Sequence, residues 1–172
     1  MNSLECIRTR RSVRKFTEQK VPHELLEELV ETARFAPSWK NTQIVRYIAV
    51  EDAALKARIA EEAAIIGGAP VLMVVTYLEG RCGYERDGSF STTKGDRWQN
   101  FDCGVAAQTF ALAAHEKGLG SVILGIFEEK KLAELLELPE GQTVACLIPL
   151  GYPAEEPAPP KRKEVSDLLS YK

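Results

Sequence analysis

Pro70-Val71-Leu72-Met73-Val74-Val75-Thr76-Tyr77-Leu78 is the stretch on which the fold turns, because it is apolar almost without interruption. A strand with one wet face alternates polar and apolar residues, so this run predicts a strand covered on both sides. Ile44 to Val50, β-branched and apolar, predicts a second strand, and Ser121 to Leu124 and Thr143 to Leu150 predict two more. Helices are expected between them. Asn2 or Ser3 caps a first one running through Arg8. Pro22 opens a second, with Leu25, Leu26, Leu29, Val30, Ala33 and Ala36 at helical spacing and Pro37 as its end. Asp52 caps a third, with Leu55, Ile59, Ala60, Ala63 and Ile66 on one face and Gly67-Gly68 as its stop. An alanine-rich helix covers Trp98 to Lys117 and ends at Gly118, and a last one covers Glu128 to Leu138.

Helices and strands alternating along 172 residues predict a single domain of the α/β type, spanning 1–172. Two segments stand outside the alternation. Residues 79–97 hold four glycines and no sustained periodicity, which reads as a loop or lid, with Tyr84 and Phe90 able to cover something. Residues 151–172 form a proline-rich arm with too few apolar residues to fold alone. Val165, Leu168 and Leu169 give it a sticky end, so it is expected to lie on its own domain or on a second subunit.

Charge narrows the function classes. There are 22 basic and 25 acidic residues, a net of −3. Arg8 to Lys15 holds five cations and no acid, and Lys161-Arg162-Lys163 adds three. Without those eight, 14 basic residues face 25 acidic ones, a balance of −11. Two cationic islands on an acidic body suit one small anion better than a long polyanion, which argues against nucleic acid. No apolar run approaches the length of a membrane span and no secretory leader is seen, so a cytoplasmic protein is expected. Cys6, Cys82, Cys103 and Cys146 are scattered, which favours reduced thiols, and two histidines so placed argue against a metal site.

Within Arg10-Arg11-Ser12-Val13-Arg14-Lys15-Phe16, an extended backbone sends Arg10, Ser12 and Arg14 to one side and Arg11, Val13 and Lys15 to the other. Two guanidinium forks flanking a hydroxyl match a phosphate monoester in charge and geometry. The competing reading is a solvated run of charge paired with local carboxylates. Asn41 and Ser38 have competing structural roles as well, in shaping and capping the turn after Pro37. Asp102 reads as a favourable charge in the first turn of a helix, Trp39 as either core or ligand edge, and Cys103 as a small apolar residue. His23 and His115 read as packing or surface residues. Gly118-Leu119-Gly120-Ser121-Val122 lies between a helix and a strand, the reverse of a dinucleotide fingerprint.

Taken in order, Arg10 to Phe16, Ala36-Pro37-Ser38-Trp39-Lys40-Asn41-Thr42-Gln43, Asp102-Cys103-Gly104-Val105-Ala106-Ala107-Gln108 and Leu150-Gly151-Tyr152-Pro153 with its basic tail resemble the FMN-dependent nitroreductase family. The resemblance spans nearly the whole chain. It implies an α+β fold with a mainly antiparallel sheet flanked by helices, in an interlocked homodimer that exchanges its C-terminal arm. It implies that Arg10, Ser12 and Arg14, with Arg11 as neighbouring backbone, hold the FMN phosphate and ribityl chain, and that Lys161 and Lys163 sit beside the phosphate. Pro37, Ser38, Trp39 and Asn41 would approach the flavin from the other subunit, and Leu124 and Gly125 would lie along one flavin face. The implied activity is ping-pong transfer of electrons from NADH or NADPH, through flavin N5, to a flat electron-poor acceptor such as a nitroaromatic or quinone. No catalytic side chain is needed when the chemistry belongs to the cofactor. The alternatives are a flavin-binding module without turnover, a more specific dehalogenase-like or oxidase-like enzyme on the same fold, and a regulator binding nucleic acid through Arg8 to Lys15.

Overall fold

The apolar run forms β2 (Val71–Leu78), an inner strand of a four-stranded sheet in the computed structural model, which describes residues 1–63 and 68–172. Its neighbours are β1 (Val45–Val50) on one side and β4 (Gln142–Gly151) on the other, and β4 also pairs with the two-residue strand β3 (Gly120–Ser121). All three pairings are antiparallel, with Val50 opposite Leu72 and Val71 opposite Leu150. The helices are α1 (Ser3–Thr9), α2 (His23–Ala33), α3 (Ala53–Glu61), α4 (Arg97–Glu116) and α5 (Glu129–Leu135). Among the described residues no helix is long and apolar enough to cross a membrane.

The run is apolar throughout because its side chains alternate between two cores. Val71, Met73 and Val75 point into one, with Leu26 and Leu29 of α2 and Phe110 and Ala114 of α4. Leu72 and Val74 point into the other, with Ile59 of α3 and Leu132 of α5. Helices therefore cover both faces, and each fully buried Leu, Ile or Phe contributes roughly 1.5–3 kcal/mol. The alanines of α4 do what small residues allow. Ala106, Ala107, Ala111 and Ala114 are buried with Phe110 on one stripe, letting this 20-residue helix sit close to the sheet.

The caps follow the sequence. The Asn2 side chain accepts from the Glu5 N–H, and Asp52 accepts from the Leu55 N–H at 2.7 Å. The largest departures are at element ends. β3 is Gly120–Ser121, and Leu124 makes only an isolated bridge to Leu147, because Val13 and Ser12 take the edge of β3. α5 stops at Leu135, short of Leu138, with Glu137 at a positive φ just beyond. α2 ends at Ala33, and a turn carries the chain to Pro37. α3 ends at Glu61 and leaves Ala60 exposed, while Leu55, Ile59 and Ala63 join the second core. Ile66 and Gly67, read as part of that helix and its stop, lie outside the described residues.

Beyond Gly151 the chain runs antiparallel to Lys15-Phe16-Thr17. Thr17 N–H donates to Tyr152 O, Phe16 bridges Pro153, and Ala154 N–H donates to Lys15 O. From Ala158 onward every residue of the arm is exposed. Val165, Leu168 and Tyr171 are 70%, 72% and 89% exposed.

Candidate functional site

The cationic segment 10–16 is held by its backbone. Arg10 closes α1 by donating to Cys6 O, Val13 N–H donates to Ser121 O at 3.0 Å, and Ser12 bridges Ser121 in parallel. Val13 is buried against Gly120, and a Cβ at 120 would stand 2.8 Å from the Val13 side chain, so only glycine admits this approach. From the arm, one oxygen of Glu155 accepts the N–H groups of Arg14 and Lys15, at 2.7 and 3.2 Å. The segment is thus fastened between β3 and the root of the arm.

Beside it lies a cavity of about 470 Å³, bordered by Arg10, Arg11, His115, Gly120, Ser121 and Glu155. The Arg11 guanidinium donates to Arg8 O and Arg10 O, at 2.7 and 2.9 Å. The half-buried Arg10 guanidinium has no hydrogen-bond or carboxylate partner among the described residues. Burial, then the charges of Arg162 and Arg11, lower its pKa. The charge of Arg162, about 150 residues away in sequence, is thus felt at Arg10. Burial and the charges of Arg10 and Arg11 also lower the pKa of His115, whose Nε2 lies 2.8 Å from Thr9 Oγ1. The Arg10 guanidinium, without a carboxylate partner among the described residues, fits a phosphate monoester as a donor.

Lys161, Arg162 and Lys163 are all exposed, and of the three Arg162 adds its charge at Arg10. Glu155 was missed from sequence, since nothing local marks an acid that will bind backbone 140 residues away.

The second place is the turn after α2. Trp39–Asn41 forms one 3₁₀ turn, and three residues without the licence of glycine have positive φ: Lys40 at 43°, Asn41 at 57° and Gln43 at 49°. Asn tolerates this conformation, whereas Lys and Gln are strained in it by roughly 1–2 kcal/mol each. Ser38 Oγ accepts the Gln43 N–H at 3.1 Å, so Ser38 and Asn41 do have the turn-shaping roles weighed from sequence. The Trp39 ring lies 4.6 Å from that of Trp98, and its Nε1 and the Thr42 hydroxyl are buried without hydrogen-bond partners among the described residues. Lys40 pairs with Glu85 of the 79–97 loop at 2.8 Å, holding that carboxyl below its ordinary pKa. In the same loop the Tyr84 and Phe90 rings pack on each other, 4.9 Å between centroids.

Asp102 differs from its sequence reading. α4 begins at Arg97, so Asp102 lies in the second turn, and it is 2% exposed. Its carboxylate accepts the Trp39 N–H on both oxygens, at 3.1 and 3.0 Å, and the Cys82 thiol at 3.0 Å. Burial first, and then Asp102, push the Cys82 thiol to about 12. Burial likewise pushes Cys103 to about 12, in keeping with a packing role.

Pro37 and Ser38 border a cavity of about 610 Å³ with Leu26, Ile44, Tyr47 and Asp102. It shares no lining residue with the cavity at Arg10. Asp102 and His115, which mark the two, are about 20 Å apart along α4 at 1.5 Å per residue. One chain therefore keeps the two groups of site residues at opposite ends of a helix. Leu124 exchanges backbone hydrogen bonds with Leu147 and packs on the second core, with Gly125 exposed beside it.

A nitroreductase family model matches residues 7–66 and 61–152. A protein of Methanothermobacter thermautotrophicus provisionally named NADH dehydrogenase/NAD(P)H nitroreductase is 35% identical over 164 residues, covering 91% of this chain and 80% of that protein. A nitroreductase family protein from Clostridium difficile 630 superimposes with a TM-score of 0.85 at 26% identity, covering 100% of this chain and 99% of that one. A provisionally named nitroreductase from Desulfovibrio desulfuricans, in a crystal structure in complex with FMN, gives 0.81 at 27% identity, covering 100% and 98%.

Proposed function

This chain belongs to the nitroreductase family, and from that membership we propose that it is an FMN-dependent oxidoreductase that takes electrons from NADH or NADPH and delivers them to a flat, electron-poor acceptor such as a nitroaromatic or quinone. The observation that carries the reading is the half-buried Arg10 guanidinium beside Arg11 at the border of one cavity, without a carboxylate partner among the described residues. Bound FMN would supply the two-electron chemistry, and the protein supplies grip, orientation and shelter. Arg10, Ser12 and Arg14 hold the phosphate and ribityl chain, with the basic run of the arm, Lys161 to Lys163, closing over the phosphate. The backbone of Leu124 and Gly125 borders the ring. Donor and acceptor take turns at one site, a ping-pong order in which the cofactor carries the chemistry.

The distance along α4 is the reason for a homodimer in this reading. Pro37, Ser38, Trp39 and Asn41 are out of reach of their own chain's phosphate grip, so they complete the site of the partner. The exposed Val165, Leu168, Leu169 and Tyr171 give the exchanged arm its apolar contacts on that partner. The 79–97 loop walls the acceptor side through its tie to Lys40. The four free, buried cysteines suit a reducing cytoplasm.

The test is an absorbance spectrum of the purified protein before and after adding NADH or NADPH. A yellow protein that bleaches is expected. A colourless protein, or a yellow one that does not bleach, overturns the enzyme reading. Truncation after Tyr152 tests the arm: dimer and flavin retention should both weaken, and an unchanged yellow dimer overturns the exchange.

A further inference from the structure

The turn that carries Pro37, Ser38, Trp39 and Asn41 holds an unfavourable backbone shape, and something must keep it there. Its internal bonds, Asn41 N–H to Ser38 O, Thr42 N–H to Trp39 O and Gln43 N–H to Ser38 Oγ, define the turn and leave its placement free. Polar ties reach out of it in three directions. The neighbouring Arg46 donates to Gln43 O at 2.9 Å. Lys40 reaches Glu85 and Ser91 of the 79–97 loop, and its pair with Glu85 is exposed, with side chains 54% and 47% accessible, so it holds weakly. The third is Asp102, on the most deeply packed helix of the fold. It receives the Trp39 N–H on both oxygens and the Cys82 S–H on one, and has no cationic partner among the described residues.

A buried carboxylate without a counter-ion is expensive unless donors surround it. An asparagine of the same shape could accept on one side only and would turn its own NH₂ toward a donor on the other. What the acid adds is charge-assisted bonds, about twice as strong as neutral ones, aimed at the one backbone N–H that enters the strained turn. The Cys82 thiol, at the start of the 79–97 loop, shares the same oxygen.

We propose that Asp102 is a positioning residue for the flavin site: its buried carboxylate clamps the strained 38–43 turn to α4, fixing where Ser38 to Asn41 meet the cofactor. Its action is through the backbone of Trp39, so it touches neither flavin nor acceptor. The proposal rests on the reading that this turn faces FMN.

The experiment measures FMN dissociation from diluted holoprotein and thermal stability for wild type, Asp102→Asn, Gln43→Gly and the double variant. Asp102→Asn should weaken FMN about tenfold, the loss of one charged hydrogen bond. Gln43 sits at a positive φ and its side chain makes no hydrogen bond among the described residues. Glycine there relieves strain and should restore part of the lost affinity in the double variant. A merely structural role would lower the melting temperature of Asp102→Asn and leave FMN dissociation unchanged, which overturns the proposal. Weakened FMN without recovery in the double variant overturns it too. Should Asp102→Asn fail to fold, Gln43→Gly alone remains decisive: it should raise the melting temperature, and a fall removes the strain on which the proposal stands. A wild-type protein without FMN defeats the reading of the site itself, before any variant is compared.

Discussion

The corner at Arg10 and the turn at Trp39 are built on opposite principles. At Arg10 the backbone is relaxed and the side chains are in tension: like charges from Arg11 and Arg162 act on a half-buried guanidinium that has no carboxylate partner among the described residues. At Trp39 it is the backbone that is in tension, with strained φ at Lys40 and Gln43 secured by a buried acid. A cluster of unpaired cations is completed by an anion. A strained turn is completed only by what holds it in place, so the first recognises charge and the second sets position.

Reversing charge should break the contrast most strongly. Arg10→Glu replaces an unpaired cation with an anion in the same corner, and FMN affinity should fall on the order of a hundredfold. Measured by FMN release on dilution, a loss below about threefold would remove the phosphate role from this corner. Added salt should weaken FMN in the wild type and do little further harm in the variant.

Gly120→Ala attacks the same corner by shape. The new Cβ meets Val13, and overpacking of this kind costs about 1–3 kcal/mol. A lowered melting point together with faster FMN release is expected, because the 10–16 segment must shift off β3. A melting point equal to wild type would show that the segment is free to move.

Lys40→Ala sharpens the other side. It removes an exposed ion pair, so stability should change by less than about 1 kcal/mol in a denaturant titration. A larger loss would mean that the 79–97 loop, and not α4, anchors the turn.

The smallest effect is at His115. Its folded pKa is lowered from 6.5, first by burial and then by Arg10, so the folded state prefers the neutral ring. That contribution is complete above the unfolded pKa and is lost as pH falls below it toward the lowered value. The melting temperature should therefore decline slightly between pH 7 and 5, and His115→Gln should flatten the decline. An increase in stability on acidification through this range would reverse the sign and contradict the crowding of cations.

Much of this was legible because it is periodic or local. The strands at 45–50, 71–78 and 142–151 and the alanine stripe of α4 follow from the spacing of apolar residues, and the Asn2 and Asp52 caps follow from residue type. β3 was misjudged because Ser121 to Leu124 has the composition of a strand, while strand formation also requires a partner. Beyond Ser121 only Leu124 finds one, as an isolated bridge to Leu147. Asp102 was read as a favourable first-turn helix charge because its two donors, Trp39 and Cys82, lie 63 and 20 residues away.

The sequence by itself determined which residues are apolar and at what period, where backbone donors and acceptors could be capped, and that positive charge lies in two short runs. Those properties belong to a residue and its near neighbours. Only the tertiary structure decided that β2 divides two cores, that Arg162 is the member of its run whose charge acts on Arg10, and that a buried carboxylate ties the 38–43 turn to α4. Electrostatic and hydrogen-bond energies depend on distance in space, and distance in space between residues far apart in the chain exists only once the chain has folded.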